Sequence, residues 1–108
     1  MTPAEELRAA AEKLRVLAAE ASPAPWAANQ WGNVETADYA EVAEVWPLSA
    51  PANVNVNYIA VMHPGVGAAL ARMLEQAADA LAGQDVPDDE PALAVARAIL
   101  GQPDGSHR

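Results

Sequence analysis

The stretch that decides the fold runs from residue 26 to residue 46 and reads WAANQWGNVETADYAEVAEVW. Tryptophan, valine, threonine and tyrosine, which favour strands, stand here among polar residues, and helical periodicity disappears. The pattern predicts strands near Ala27–Trp31 and Val34–Thr36, joined by a Gly32-Asn33 turn, and a third strand across Glu41–Trp46. Because alanines blur the alternation, we expect a small antiparallel sheet of two or three strands.

A helix is predicted before this sheet. Thr2 suits the N-cap position, Pro3 suits the first helical position, and Glu5 completes a capping box with Thr2. The run from Ser22 to Pro25 ends the helix, because a residue that precedes proline avoids the helical backbone conformation. One apolar stripe recurs at helical spacing and comprises Leu7, Ala10, Ala11, Leu14, Leu17, Ala18 and Ala21.

Residues 53–62, which follow a predicted loop at Pro47–Pro51, fit two patterns. Apolar residues alternate with asparagines, as in a strand, at Val54, Val56 and Tyr58. One face of a helix, with Asn53 as its cap, is marked by Val54, Tyr58, Ile59 and Met62. We favour the helix, because the segment that follows His63-Pro64 continues the helical pattern.

Two further helices complete the chain. Pro64 opens the first and Gly83 closes it, and its apolar stripe comprises Val66, Leu70, Met73, Leu74, Ala77 and Leu81. The second covers about Pro91–Leu100, with Asp88 or Asp89 at its start and Gly101 after its end. The sequence therefore predicts an α+β fold: an N-terminal helix, the small sheet, then three helices. We expect a single domain over residues 1–101 and a disordered tail at residues 102–108.

The composition excludes several classes of protein. The net charge is −9, which disfavours direct binding to nucleic acid, and the absence of cysteine excludes disulfides and thiolate chemistry. No apolar run approaches the ~20 residues of a membrane span, and the N-terminus is unlike a secretory signal, so we expect a cytoplasmic protein. Alanine supplies 27 of the 108 residues. A homo-oligomer that shares alanine-rich helix faces would compensate for the thin core; a GC-rich genome explains the alanines equally well.

Four carboxylates fall three residues apart in the strand region, at Glu35, Asp38, Glu41 and Glu44, and no Lys or Arg occurs between Arg15 and Arg72. Since strands alternate with a period of two, this spacing does not imply that the carboxylates converge. We rank three interpretations: a solvated acidic edge that discourages aggregation first, a docking surface for a basic partner second, and a metal site last.

All five aromatic residues lie between residues 26 and 58. We expect Trp26 to anchor the core, whereas core packing and a ligand-binding wall are equally weighted for Trp31 and Trp46. An aromatic pocket that stacks a planar ligand such as a nucleobase would use Trp31, Tyr39, Trp46, Tyr58 and His63.

His63 is the histidine that could carry chemistry, since His107 lies in the predicted tail. Catalysis would require a nucleophile, an orienting carboxylate or a metal beside it, so capping of the following helix is the favoured role. The Gly65-Val66-Gly67 run lacks both the spacing and the lysine of a phosphate loop. We therefore predict no catalytic residue, no metal and no cofactor.

Two motifs carry a resemblance to a known family. They are Ser22-Pro23-Ala24-Pro25-Trp26 after an amphipathic helix, and the run from Asn57 to Pro64, NYIAVMHP, before an alanine- and leucine-rich helix. Together they resemble the Ead-like small proteins of phages and prophages of actinobacteria, over residues 4–82, although Ala24 stands where those proteins often have glycine. The resemblance implies an accessory role in a bacterial host cell and carries over no catalytic residue.

We therefore expect a non-enzymatic accessory protein that binds or sequesters a host protein or a small nucleotide-like signal, as anti-defence proteins do. A small hydrolase or metal-dependent enzyme that uses His63 and the carboxylates of the β region is one alternative. A purely structural, oligomerising protein is the other.

Overall fold

A computed structural model describes residues 1–45 and 50–101, with residues 50–53 as backbone alone. The elements are α1 (Pro3–Glu20), β1 (Trp26–Ala28), β2 (Asn33–Thr36), β3 (Glu41–Glu44), α2 (Ala50–Val61), α3 (Pro64–Leu81) and α4 (Pro91–Leu100). The predicted α+β order is confirmed, with three strands. The predicted helix over residues 53–62 is confirmed as well, although it begins earlier, inside the predicted loop. Trp46 and the predicted tail lie outside the described residues.

The chain divides into two compact units. The first, here the helical unit, contains Met1–Leu17 and the chain from Ala68 onwards. The second, here the sheet unit, contains Ala18–Gly67. The single domain expected from the sequence stays a prediction, and each unit is described separately below. No helix in the described part of the chain is both long and apolar enough to cross a membrane.

The capping box at the start of α1 forms as predicted. The Thr2 amide donates to Glu5 Oε1 at 2.7 Å, and the Glu5 amide donates to Thr2 Oγ1 at 3.1 Å. These bonds satisfy two amides that have no partner within the helix. The hydrogen bond that the Thr2 amide donates to the Glu5 carboxylate, followed by a hydrogen bond from the Thr2 side chain to the same carboxylate, lowers the pKa of Glu5 below its ordinary value.

The core of the helical unit combines a few leucines with many alanines. Leu7, Leu74 and Leu93 are fully or almost fully buried, and small residues fill the space between the helices at Ala10, Ala11, Ala71, Ala78 and Ala96. The predicted α3 stripe needs one correction, because Met73 is 64% exposed. Leu17 is also exposed, although it lies on the predicted α1 stripe. Because many apolar side chains of folded proteins stay exposed, apolar identity alone makes the predicted stripe too wide on both helices.

Ion pairs and hydrogen bonds engage four basic side chains of the helical unit. Arg97 contacts both carboxylate oxygens of the buried Glu6, at 3.2 and 3.3 Å, which raises the pKa of Arg97. Hydrogen bonds to Glu12 and Glu75 likewise raise the pKa of Arg15. The two others are Arg8, which pairs with Asp79, and Lys13, whose Nζ donates to the Ile99 carbonyl.

The start of α4 differs from the prediction. Glu90 is the N-cap, and its carboxylate accepts the Ala92 amide at 3.3 Å; neither Asp88 nor Asp89 holds this position. Pro91 fixes the helix start one residue after Glu90, which leaves the two aspartates outside the capping position. Gly101 ends the helix with φ 75°, a left-handed conformation that glycine adopts without a steric penalty, as predicted.

The sheet unit contains an antiparallel sheet in the order β1-β2-β3. Val34 at its centre packs against Val56 and Ala60 of α2, and Trp26, Ala28, Val42, Ala43, Val45 and Ile59 surround them. Trp26 is half-buried beside this cluster, which agrees with the anchor expected from the sequence. The inner face of the sheet therefore packs on α2.

Two tight turns connect the strands. In the first, Asn29 Oδ1 accepts the amides of Trp31 and Asn33, and Gly32 has φ 85°. In the second, Thr36 bonds to Ala40 through main-chain and side-chain atoms, and Tyr39 has φ 68°. Because the left-handed region is unfavourable for a bulky side chain, the second turn carries backbone strain at Tyr39.

Candidate functional site

The outer face of the sheet carries three carboxylates. Direct cross-strand partners share a face, and Glu35 pairs with Glu41 while Asn33 pairs with Glu44. Since Asn33 and Glu35 lie two residues apart on β2, all three carboxylates lie on the face opposite Val34.

A bulge explains why the spacing did not predict this arrangement. The register shifts between Val34 and Glu35, so that Val42 is an extra residue on β3. The extra residue turns a spacing of three into a shared face for Glu41 and Glu44. Asp38 is not part of this group, because it lies in the second turn and accepts a hydrogen bond from the Thr36 hydroxyl.

The sheet unit has no positive side chain to neutralise these groups. Its sequence contains five carboxylates and neither Lys nor Arg. Glu35 and Glu41 stand directly opposite each other, a like-charge pair that destabilises a sheet. Among residues 1–45 and 50–101, no three His, Asp or Glu side chains are grouped in a way that could hold a metal ion.

The predicted aromatic set is spread over the unit. Trp31 lies in the first turn and Tyr39 in the second, which are at opposite ends of β2, and both side chains are exposed. Tyr58 lies on α2 and is 66% exposed. The described residues of the set are therefore not brought into one pocket, and Trp46 lies outside the described part of the chain.

One face of α2 is apolar and exposed. It comprises Val54, Tyr58 and Val61 at helical spacing, together with Met62 directly after the helix, and it is called here the α2 outer face. The opposite side of the helix, with Val56, Ile59 and Ala60, contacts the sheet. At 1.5 Å per residue, the α2 outer face extends about 12 Å along the helix. The sequence pattern predicts that Ile59 belongs to this face, which is wrong because Ile59 packs against the sheet.

A groove flanks the α2 outer face and is called here the Trp26 groove. It has a volume of about 450 Å³ and is lined by Pro25, Trp26, Asn57, Ala60, Val61, His63 and Val66. The Trp26 Nε1–H donates to the Ser22 carbonyl at 3.0 Å, so the indole has its hydrogen-bond partner inside the unit. The wall of the groove is mostly apolar.

His63 has a defined orientation at this groove. Its Nδ1 accepts the Gly65 amide at 3.0 Å, which is the predicted capping interaction at the start of α3. A neutral imidazole in this arrangement carries its proton on Nε2. A Cβ on residue 65 would lie 2.6 Å from the His63 Cε1, so glycine gives the ring room to bond there. Among the described residues, no carboxylate forms an ion pair with His63.

The helical unit has a cavity of about 370 Å³ beside the start of α1 and the end of α3. Its charged lining residues, Glu5 and Arg8, are engaged with Thr2 and Asp79. The charged side chains that line this cavity are therefore already engaged in contacts within the fold.

The sequence predicts a core position for Trp26 and does not predict the groove. The signal that could have found it is the Pro25-Trp26 pair together with the NYIAVMHP segment, since both supply the lining. No family model matches the chain, and neither a search of curated proteins nor one of solved structures finds a significant match.

Proposed function

We propose that this chain is a binding protein whose sheet unit recognises a positively charged protein partner. The observation that carries the proposal is the α2 outer face: four apolar side chains, Tyr58 among them, are exposed on a unit that has five carboxylates and no cation. Exposed apolar patches of this kind mark interaction sites, and large aromatic residues are frequent binding hot spots.

Charge supports a basic protein over the other occupants. A second copy would bring two α2 outer faces together, each on a unit with five negative charges and no positive charge. A phosphate-bearing nucleotide would meet the same repulsion and would find no Lys or Arg in residues 18–67. A positively charged partner with an exposed apolar centre can contact the α2 outer face, while the net negative charge of the unit attracts it at longer range.

The resemblance to phage and prophage proteins supports a more specific proposal. The chain would then be an accessory protein that binds a host factor inside a bacterial cell. The acidic outer face of the sheet, with Glu35, Glu41 and Glu44, would add long-range attraction and faster association with a basic host protein.

Selection of short random peptides displayed on phage against the immobilised protein tests the proposal. We expect the enriched peptides to combine Lys or Arg with a large apolar residue, and to lose affinity when salt rises from about 50 mM to about 500 mM. Tyr58→Asp should abolish their binding. Enrichment without a preference for basic residues would contradict the proposal.

Met73→Asp is the matched control. Met73 is 64% exposed and Tyr58 is 66% exposed, so both substitutions place a carboxylate at an exposed apolar position of a helix, but Met73 belongs to the helical unit. Binding that falls equally in both variants would contradict the proposal. Light scattering that shows a dimer of the wild-type chain, lost in Tyr58→Asp, would instead assign the α2 outer face to a second copy.

A further inference from the structure

We infer that the Trp26 groove holds one apolar side chain of the partner while the His63 Nε2–H donates to a main-chain carbonyl next to it. The inference rests on the proposed function and specifies its chemistry. The occupant is an uncharged aliphatic or aromatic side chain in a peptide.

The lining of the groove selects an apolar group. Pro25, Trp26, Ala60, Val61 and Val66 supply carbon surface, and no carboxylate, Lys or Arg is among the described residues of the lining. Because the Trp26 Nε1–H is already bonded to Ser22, the indole offers its ring as an apolar wall. A volume of about 450 Å³ accommodates a single large side chain.

His63 supplies a fixed donor at the same groove. The bond from the Gly65 amide to Nδ1 orients the ring and leaves the proton on Nε2. A donor that is held in place before binding loses little conformational freedom when a ligand arrives. A main-chain carbonyl is the acceptor that every residue of a peptide provides.

The groove and the α2 outer face are continuous. Val61 belongs to both, so one peptide segment can place an anchor side chain in the groove and further apolar contacts along Val54 and Tyr58. Anchors buried in a pocket beside a flatter patch are the usual arrangement of energetic hot spots. The net negative charge of the unit then attracts the positively charged partner at long range, since Glu35, Glu41 and Glu44 lie on the face of the sheet opposite α2.

NMR titration of the full-length protein with uncharged single-residue probes tests the inference. The probes are N-acetyl-leucine amide and N-acetyl-tryptophan amide, which each carry one side chain and a carbonyl, with adenosine as the nucleobase alternative. We expect saturable shifts of the Trp26 indole N–H and His63 ring signals with the amides, and a Kd on the order of millimolar for probes this small. Binding of adenosine without binding of the amides would overturn the inference.

Three variants locate the site. Val66→Phe fills the groove without altering the α2 outer face and should remove the shifts. Gly65→Ala displaces the His63 ring and should weaken binding as well. His63→Asn keeps a capping acceptor but removes the Nε2–H, and should weaken the amides about fivefold. Unchanged affinity in folded Val66→Phe and His63→Asn proteins would refute the inference.

The two proposals fail in different ways. If peptides are selected and depend on Tyr58, but the amides do not bind or bind Val66→Phe equally well, the partner docks on the α2 outer face and the groove inference is wrong. If basic peptides are not enriched at all, the proposed function itself is wrong.

Discussion

The helical unit and the sheet unit handle charge in opposite ways. In the helical unit, Arg97 and Glu6 form a partly buried two-oxygen ion pair, and three further basic side chains have partners. In the sheet unit, carboxylates face each other without a cation, and α2 leaves an apolar face exposed. The basic side chains of the first unit are engaged in contacts within the fold, whereas the like-charge pair of the second works against stability.

Three features of the sheet unit violate local rules of stability. Glu35 and Glu41 form a like-charge cross-strand pair, Tyr39 has a left-handed backbone, and the α2 outer face exposes Tyr58. Such violations are expected where a protein recognises another molecule, because binding selects for surface chemistry rather than for stability. Their concentration in residues 18–67 supports placing the binding site there.

The largest expected difference between the units concerns apolar truncation. Leu74→Ala, at a buried position of the helical unit, should lower the free energy of unfolding by about 2–5 kcal/mol, because it removes buried surface and leaves a cavity. Tyr58→Ala in the sheet unit should change it by less than ~0.5 kcal/mol. Urea denaturation measures both. A loss of stability in Tyr58→Ala that approaches that of Leu74→Ala would show that the α2 outer face is part of a core.

The second comparison lies within the helical unit and measures how much the ion pair between Glu6 and Arg97 contributes to thermal stability. Glu6→Gln should lower Tm by about 4–8 °C, because Arg97 loses a charged partner at a site shielded from water. Glu75→Gln, which breaks the exposed contact with Arg15, should shift Tm by no more than about 2 °C. Differential scanning calorimetry compares them. Equal shifts would mean that burial of Glu6 does not strengthen its interaction.

The third prediction is an increase in the free energy of unfolding, because the substitution removes backbone strain from the sheet unit. Left-handed backbone costs a bulky residue about 1–2 kcal/mol, and glycine loses roughly 0.5–1 kcal/mol more chain entropy on folding. Tyr39→Gly should therefore stabilise the protein by about 0.5–1 kcal/mol. Ala37→Gly, in the same turn but without a positive φ, should destabilise it. A destabilised Tyr39→Gly protein would show that the tyrosine side chain makes a stabilising contact.

Much of the fold could be predicted from local sequence signals. The capping box of Thr2 and Glu5, the cap at His63 and the C-terminal glycine at residue 101 each depend on a few neighbouring residues, and each forms as expected. These signals are reliable because both partners of the interaction lie within one helical turn. The order of the elements follows from them.

Features that depend on partners distant in sequence could not be predicted. A bulge at Val42 depends on how β3 pairs with β2, so a regular period of two gave no reason to group Glu35, Glu41 and Glu44. The sequence of α2 is apolar on nearly every side, so its periodicity could not tell which face packs on the sheet. Predicting the Trp26 groove requires both the strand pairing and the face of α2 that packs on the sheet, since the wall of the groove comes from β1 and from the α2–α3 junction.

The smallest effects provide the sharpest comparison of the units, because the same substitution should act with opposite signs. Glu41→Gln in the sheet unit should raise stability by about 0.2–1 kcal/mol at low salt, since it relieves repulsion from Glu35, and the gain should shrink as salt screens the pair.

Glu5→Gln in the helical unit should lower stability at neutral pH, because it replaces the charged cap of α1. The pKa of Glu5 is lowered in the folded protein, so its contribution is complete above the ordinary value of 4.5 and is lost as pH falls through the folded value. Denaturation curves at neutral pH and near pH 3 should therefore show a larger Glu5→Gln defect at neutral pH. A stabilising Glu5→Gln or a destabilising Glu41→Gln would contradict the assignment of stabilising charges to the helical unit and of recognition charges to the sheet unit.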